Sequence, residues 1–290
     1  MRRLVALMLA FGGMVAAGGS SWADNLEGSI QIKGSDTMVN LCQAWAESFM
    51  QQHPGVDVAV TGGGSGTGIA ALIAGTCDLA SASRQMTEKE RETATAKGAA
   101  PQELTVALDG IVVAVHPSSP VKQLTLTQLA DIFSGAVKNW KDVGGPDKQI
   151  VILSREVNSG THVYFKEHVL SQGVQKREFA PEALLLPSSQ AIADEIASNS
   201  GAIGYYGLGY MNPKNAVVAV AKIDAGPYVT PSEQTVRDST YPISRPLFLY
   251  SRGAPQGAVK AFRDFVLSPA GQTIVREIEF VPIAPTAPAH

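Results

Sequence analysis

The chain has 290 residues, 45% of them hydrophobic and 17% charged, with 23 basic and 26 acidic side chains. That length can bury a sizeable core as one large domain or two. A formal charge of −3 leaves no electrostatic footprint for nucleic acid, so an anionic ligand would have to be held by a local set of dipoles.

Met1 to Ala23 reads as a signal peptide. Arg2-Arg3 form a basic n-region, Leu4 to Ala17 an apolar run, and Ser21-Trp22-Ala23 a small-x-small cleavage site. The run is too short and Gly-rich for a membrane span. No Cys stands just after the small residues of the cleavage site, so the expectation is an exported protein, periplasmic or secreted, without a lipid anchor. Arg2 and Arg3 are the only charges removed, which leaves 21 basic against 26 acidic residues, a formal charge of −5. The two cysteines, Cys42 and Cys77, can pair in an oxidising compartment or stay as buried free thiols. There is no CxxC and the histidines are scattered, so neither a metal site nor a cofactor is expected.

In chain order, Ser29 to Ile32 alternates like a strand, and Gly34-Ser35-Asp36-Thr37 breaks it. Met38 to Gln52 follows as an amphipathic helix, with Asp36 or Thr37 as its N-cap. Val56 to Val60 is a second strand. The turn Thr61-Gly62-Gly63-Gly64-Ser65-Gly66-Thr67-Gly68 then leads into a short helix from Ile69 to Ala74. This turn could cradle an oxyanion with its amides or serve as a flexible tight turn. It lacks the Lys-Ser/Thr pair of a Walker loop.

Asp78 to Ala80 is a third strand ending in Ser81-Ala82-Ser83-Arg84, and Thr87 to Lys97 is a solvated surface helix. Two strands, Leu104 to Leu108 and Ile111 to Val115, are separated by Asp109-Gly110. Leu124 to Phe133 is a capped helix. Ile150 to Leu153 then forms an apolar strand that delivers Arg155, before Asn158-Ser159-Gly160-Thr161 opens another helix. A guanidinium fork and free helical amides at one strand end suit an oxyanion; an N-cap beside a surface ion pair would give the same letters. Ser188 to Ala197 is a helix, and Gly201 to Tyr206 a strand whose Tyr205-Tyr206 pair either lines a cleft or packs. Strands at Val217 to Val220 and Leu247 to Tyr250 and helices at Ala258 to Leu267 and Gly271 to Ile278 complete the chain. Strands alternating with helices indicate an α/β fold with largely parallel sheets.

Four turns share one design, around Thr37, Ser65, Ser83-Arg84, and Arg155 with Ser159 to Thr161. All follow strand C-termini, where open α/β sheets bind ligands. The motifs GSDT at Gly34, GGGSGTGI at Gly62, DLASASR at Asp78, LTQLADIFSGAVKNW at Leu126, SREVNSGT at Ser154 and GAIGYYGLGY at Gly201 span nearly the whole mature chain. Together they resemble the periplasmic phosphate-binding proteins of high-affinity phosphate ABC transporters.

The resemblance implies a two-lobed periplasmic binding protein fold with a double hinge crossover and the anion in the cleft. It assigns ligand contacts to Thr37, the amide of Met38, Ser65, Arg155, Ser159, Gly160 and Thr161. Ser83 stands where many members carry an Asp that accepts the proton of hydrogen phosphate. Asp36 is a substitute acceptor or an N-cap, and Arg84 lies next to the site in sequence. One lobe would hold residues 24–112 with 247–290, the other 113–246. The chain would cross near Val112 to Val115 and return near Arg245 to Leu249. The expected partners are inorganic phosphate and the permease of an ABC importer, and the protein would act as a monomer without catalysis. The competing readings are a receptor for sulfate, molybdate or tungstate, and a secreted phosphatase. Against the last, no paired metal-binding carboxylates or Ser-His-Asp arrangement stands out.

Overall fold

The computed structural model describes residues 26–172 and 176–283. The signal-peptide segment, residues 1–23, lies outside them. The chain opens with β1 (Gly28–Gly34), α1 (Val39–Gln52), β2 (Val56–Thr61), α2 (Ser65–Ala74), β3 (Leu79–Ala82), α3 (Glu88–Ala96) and β4 (Gln102–Val115). The middle of the chain carries β5 (Gln123–Thr125), α4 (Leu126–Phe133), β6 (Val151–Arg155), α5 (Gly160–Phe165), β7 (Leu184–Leu186), α6 (Ser189–Ser198) and β8 (Ala202–Gly207). The last part holds β9 (Ala216–Val217), β10 (Ala219–Ala221), α7 (Glu233–Arg237), β11 (Ser244–Ser251), α8 (Gly257–Leu267) and α9 (Pro269–Glu277).

One sheet runs through the molecule in the order β2-β1-β3-β11-β4-β8-β6-β7, with β9 beside β4. Its flanks are parallel, β1 with β2 and β3, and β6 with β7 and β8. Its centre is antiparallel. β4 pairs with β11 up to Gly110 and with β8 from Ile111 onward. This strand therefore belongs to both halves of the sheet. Each half has its own apolar core. One gathers Ile30, Trp45, Phe49, Leu249 and Phe262 with α1, α8 and α9; the other gathers Val113, Phe133, Phe165, Ile192 and Tyr205 with α4, α5 and α6.

Local chemistry explains the helix starts in the second half. Thr125 caps α4 in a reciprocal capping box with Gln128, and Ser188 caps α6 through Ala191 N–H. Two expectations are corrected and one open alternative is decided. The Asp109-Gly110 step is no turn: β4 is continuous through it. Asp109 is fully buried and paired, and a Cβ on Gly110 would meet Val236 at 2.7 Å, so the glycine serves packing. The Gly-rich turn is shorter than its letters suggest, because α2 begins at Ser65. Gly66 and Gly68 are poor helix formers, but a Cβ on Gly68 would lie 2.3 Å from Lys33 O, so a bare glycine lets α2 seat on the end of β1. Finally, Cys42 and Cys77 are unpaired. Cys42 sits in the core under α1 and Cys77 in a separate apolar cluster around α2.

Candidate functional site

Three strand ends of the first half converge on one spot. Beyond β1 the chain makes a tight turn, Asp36–Met38, that buries Thr37 and Met38. Neither Asp36 nor Thr37 caps α1, whose first turn has no side-chain cap. Both side chains are aimed across the cleft instead. Gly34, at φ 145°, allows β1 to approach β3 so closely that a Cβ would lie 2.1 Å from Ser81 O. Ser65, first residue of α2, accepts the N–H of Ser83 at 3.0 Å, and the two hydroxyls stand 3.3 Å apart. Ser65 and Ser83 are both fully buried.

The second half meets them with β6 and α5. Ser159 caps α5 by accepting from Thr161 N–H at 3.2 Å and His162 N–H at 3.4 Å. Gly160 has no side chain because none fits: a Cβ would lie 2.3 Å from Ser65 Oγ and 2.6 Å from Ser83 Oγ. Thr161 Oγ1 stands 2.8 Å from Thr37 Oγ1. Asn158 closes the rim, accepting Gly66 N–H at 3.0 Å and donating to Gly63 O at 2.9 Å. The two halves thus touch through Thr37, Ser65, Ser83 and the Gly63–Gly66 turn on one side, and Asn158, Gly160 and Thr161 on the other.

Arg155 is delivered by β6 and is almost completely buried. Its Nη1 donates to Ser189 Oγ at 2.9 Å and its Nη2 to Pro187 O at 2.9 Å, while Asp36 Oδ2 lies 3.0 Å from Nη1. Asp36 also accepts Ser189 N–H at 2.9 Å, and its own carbonyl accepts the Tyr210 hydroxyl at 2.9 Å. Arg84, by contrast, is committed to Glu90 through two hydrogen bonds of 2.8 and 2.7 Å. Tyr205 and Tyr206 pack in the core, bonded to Ser154 and Asn215.

Sequence reasoning missed a second buried guanidinium. Arg245 on β11 stands directly across from Asp109 on β4, and neither side chain is exposed. Nε and Nη2 reach Asp109 Oδ2 at 3.0 and 2.7 Å, and Nη2 also donates to Thr161 Oγ1 at 3.0 Å. Burial holds the Asp109 carboxyl above its usual range, and the Arg245 guanidinium and the Leu208 amide offset that only in part. No spacing could reveal this pair, since 136 residues separate its members. The one available signal was a polar Asp-Gly step inside an otherwise apolar strand pattern.

Each cation is therefore matched by its own carboxylate, Arg155 by Asp36 and Arg245 by Asp109. The frame is close to neutral, and what it offers an anion is hydroxyl and amide dipoles shielded from water. Burial also holds the His162 imidazole below its usual value, against a main-chain bond near Arg155 that raises it. Among the described residues, no group of three or more His, Cys, Asp or Glu could hold a metal ion.

The fold and this cluster define a solute-binding protein, and the comparisons agree. A model of the PBP superfamily domain matches residues 19–270. The Phosphate-binding protein PstS of Pseudomonas aeruginosa is 33% identical over 90% of this chain and 85% of its own length. That of Bacillus subtilis is 33% identical over 90% and 82%. Among solved structures, an ABC-type phosphate transport receptor from Vibrio cholerae superposes with a TM-score of 0.70 at 30% identity, covering 88% of this chain and all of that one. A phosphate-bound protein from Clostridium perfringens, described as a putative phosphate ABC transporter substrate-binding protein, gives a TM-score of 0.79 at 31% identity over 89% of this chain and all of that one. The chain belongs to the PBP superfamily and, within it, to the family of PstS phosphate-binding proteins.

Proposed function

We propose that this chain is an extracytoplasmic solute-binding protein that captures inorganic phosphate between two lobes and delivers it to the permease of an ABC importer. It binds and releases its ligand without chemistry. The observation that carries the reading is the meeting of Thr37 with Thr161 at 2.8 Å and of Ser65 and Ser83 with Gly160, donors from both halves focused on one buried spot. In this reading Thr37, the Met38 amide, Ser65, Ser83, Arg155, Ser159, the Gly160 amide and the Thr161 hydroxyl hold the oxyanion. Asp36 holds Arg155 in place, and Arg84 stays outside with Glu90.

The lobes are residues 24–112 with 247–290, and residues 113–246. In support, β4 changes its pairing partner between Gly110 and Ile111. Ligand that touches both lobes only when they meet shifts the open–closed equilibrium by that difference in affinity. A cleaved signal peptide over residues 1–23 and a monomeric, periplasmic or secreted product complete the proposal. No helix among the described residues is long and apolar enough to cross a membrane.

Both nearby carboxylates are already committed to arginines, so the acceptor for a ligand proton is a hydroxyl, Ser83 or Ser65. A hydroxyl both accepts and donates. It rewards a protonated oxyanion without strongly repelling an unprotonated one. Calorimetric titration with phosphate, arsenate and sulfate should show phosphate and arsenate binding with sulfate weaker. Failure to bind any tetrahedral oxyanion contradicts the proposal.

A further inference from the structure

The Asp109–Arg245 pair sits under the oxyanion cluster but belongs to the strands that join the two halves. A fully buried ion pair is weak evidence for stability, since its desolvation offsets most of its attraction. What distinguishes this one is where its remaining bonds go. Arg245 Nη1 donates to Ser83 O at 2.9 Å, in the first half. Nη2 donates to Thr161 Oγ1 at 3.0 Å, in the second. Asp109 Oδ1 accepts Leu208 N–H at 2.9 Å, just past β8. The guanidinium also lies over the Tyr164 ring, 5.7 Å from its centroid, while the Tyr164 hydroxyl donates to Ser244 O at 2.6 Å. One side chain on a connecting strand thus grips both halves.

The bond to Thr161 has a direction. A guanidinium only donates, so Thr161 Oγ1 must accept from it. With Arg245 taking one lone pair, the single hydroxyl proton of Thr161 points away from Arg245 and is left to donate; Thr37 Oγ1 stands 2.8 Å away, and either hydroxyl of that pair can be the donor. A bound oxyanion needs donors, and this contact makes Thr161 one.

We propose that Arg245 is a positioning residue of the oxyanion site, which fixes the Thr161 hydroxyl as a donor when the halves meet and is itself anchored by Asp109. The proposal rests on the reading of the cluster as a phosphate site. Arg245→Lys keeps the positive charge beside Asp109, but an ammonium on a flexible stem cannot serve Asp109, Ser83 O and Thr161 at once.

The test is a double-mutant cycle read by phosphate affinity, using wild type, Arg245→Lys, Thr161→Val and the double variant. Arg245→Lys should raise the Kd for phosphate about tenfold or more in the wild-type background, chiefly through faster release, and less than about twofold in the Thr161→Val background. A general loss of stability would act equally in both backgrounds. Equal effects in the two backgrounds overturn the proposal. If Arg245→Lys does not fold, Asp109→Asn serves in the same cycle, because the carboxamide oxygen can still accept Leu208 N–H while its NH2, a donor, no longer anchors the guanidinium. Additive effects there overturn it too. Wild-type protein that binds no phosphate would instead sink the reading of the site and would be seen before any variant is made.

Discussion

Gly160 has no room for even a methyl group, because Ser65 and Ser83 from the other half occupy the space. Overpacking of this kind costs roughly 1–3 kcal/mol. That cost falls on the contact between the halves and not on either core. Gly160→Ala should therefore weaken phosphate binding about tenfold or more by calorimetry, with little change in the thermal midpoint of the ligand-free protein. A midpoint drop with unchanged affinity would place the crowding elsewhere. Arg155 makes a different prediction. Its fork serves Ser189 Oγ and Pro187 O and faces Asp36. Arg155→Lys leaves several of these groups unsatisfied and should cost roughly 2–5 kcal/mol of phosphate affinity. Wild-type affinity in that variant would remove Arg155 from the site.

Among the elements, α5 carries a titratable group close to the cluster. His162 follows Thr161, stands 3.2 Å from Ser154 Oγ through Nδ1, and is kept neutral mainly by burial. Its folded-state value is depressed, so the unfolded chain binds the proton more readily. The stability this contributes is present above the ordinary value of 6.5 and is lost as pH falls from there through the depressed value. The thermal midpoint of wild type should fall below about pH 6.5 more steeply than that of His162→Gln. Parallel curves would show that His162 does not titrate with unfolding. The thiols of α1 and of the loop before β3 give a further check. Burial pushes Cys42 up to about 12 and Cys77 to about 11. A thiol reagent should modify them only after denaturation, and a reductant should leave the thermal midpoint unchanged; a drop on reduction would mean that they pair.

Element by element, most of the fold was legible because β-branched runs and capping residues write themselves locally. The run before Arg155 and the caps at Thr125 and Ser188 are of this kind. What misled was chemistry whose partner lies far along the chain. Asp109-Gly110 has the letters of a turn, yet Arg245 satisfies the aspartate and Val236 crowds the glycine. Gly66 and Gly68 have the letters of a loop, yet both lie within α2, where Lys33 O at the end of β1 leaves no room for a Cβ on Gly68. In the same way Asp36 and Thr37 look like caps, and only the opposite half shows that they are spent on Ser189, Arg155 and Thr161.

At the scale of the molecule, the central strand is shared by two separately packed halves and changes its pairing partner between Gly110 and Ile111, which is where the proposed hinge falls. Two charge-matched frames, Asp36 with Arg155 and Asp109 with Arg245, surround the meeting point without giving it a net charge. In the proposed reading, selectivity comes from the count and direction of hydrogen bonds rather than from field strength. The most direct test is a crystal structure of the phosphate-saturated protein. It should place one tetrahedral ion within hydrogen-bonding distance of Thr37, Ser65, Arg155 and Thr161. An ion seated instead in the open groove of about 510 Å³ lined by Arg84, Tyr164, His168 and Pro246, or no ion between the halves at saturation, would contradict it.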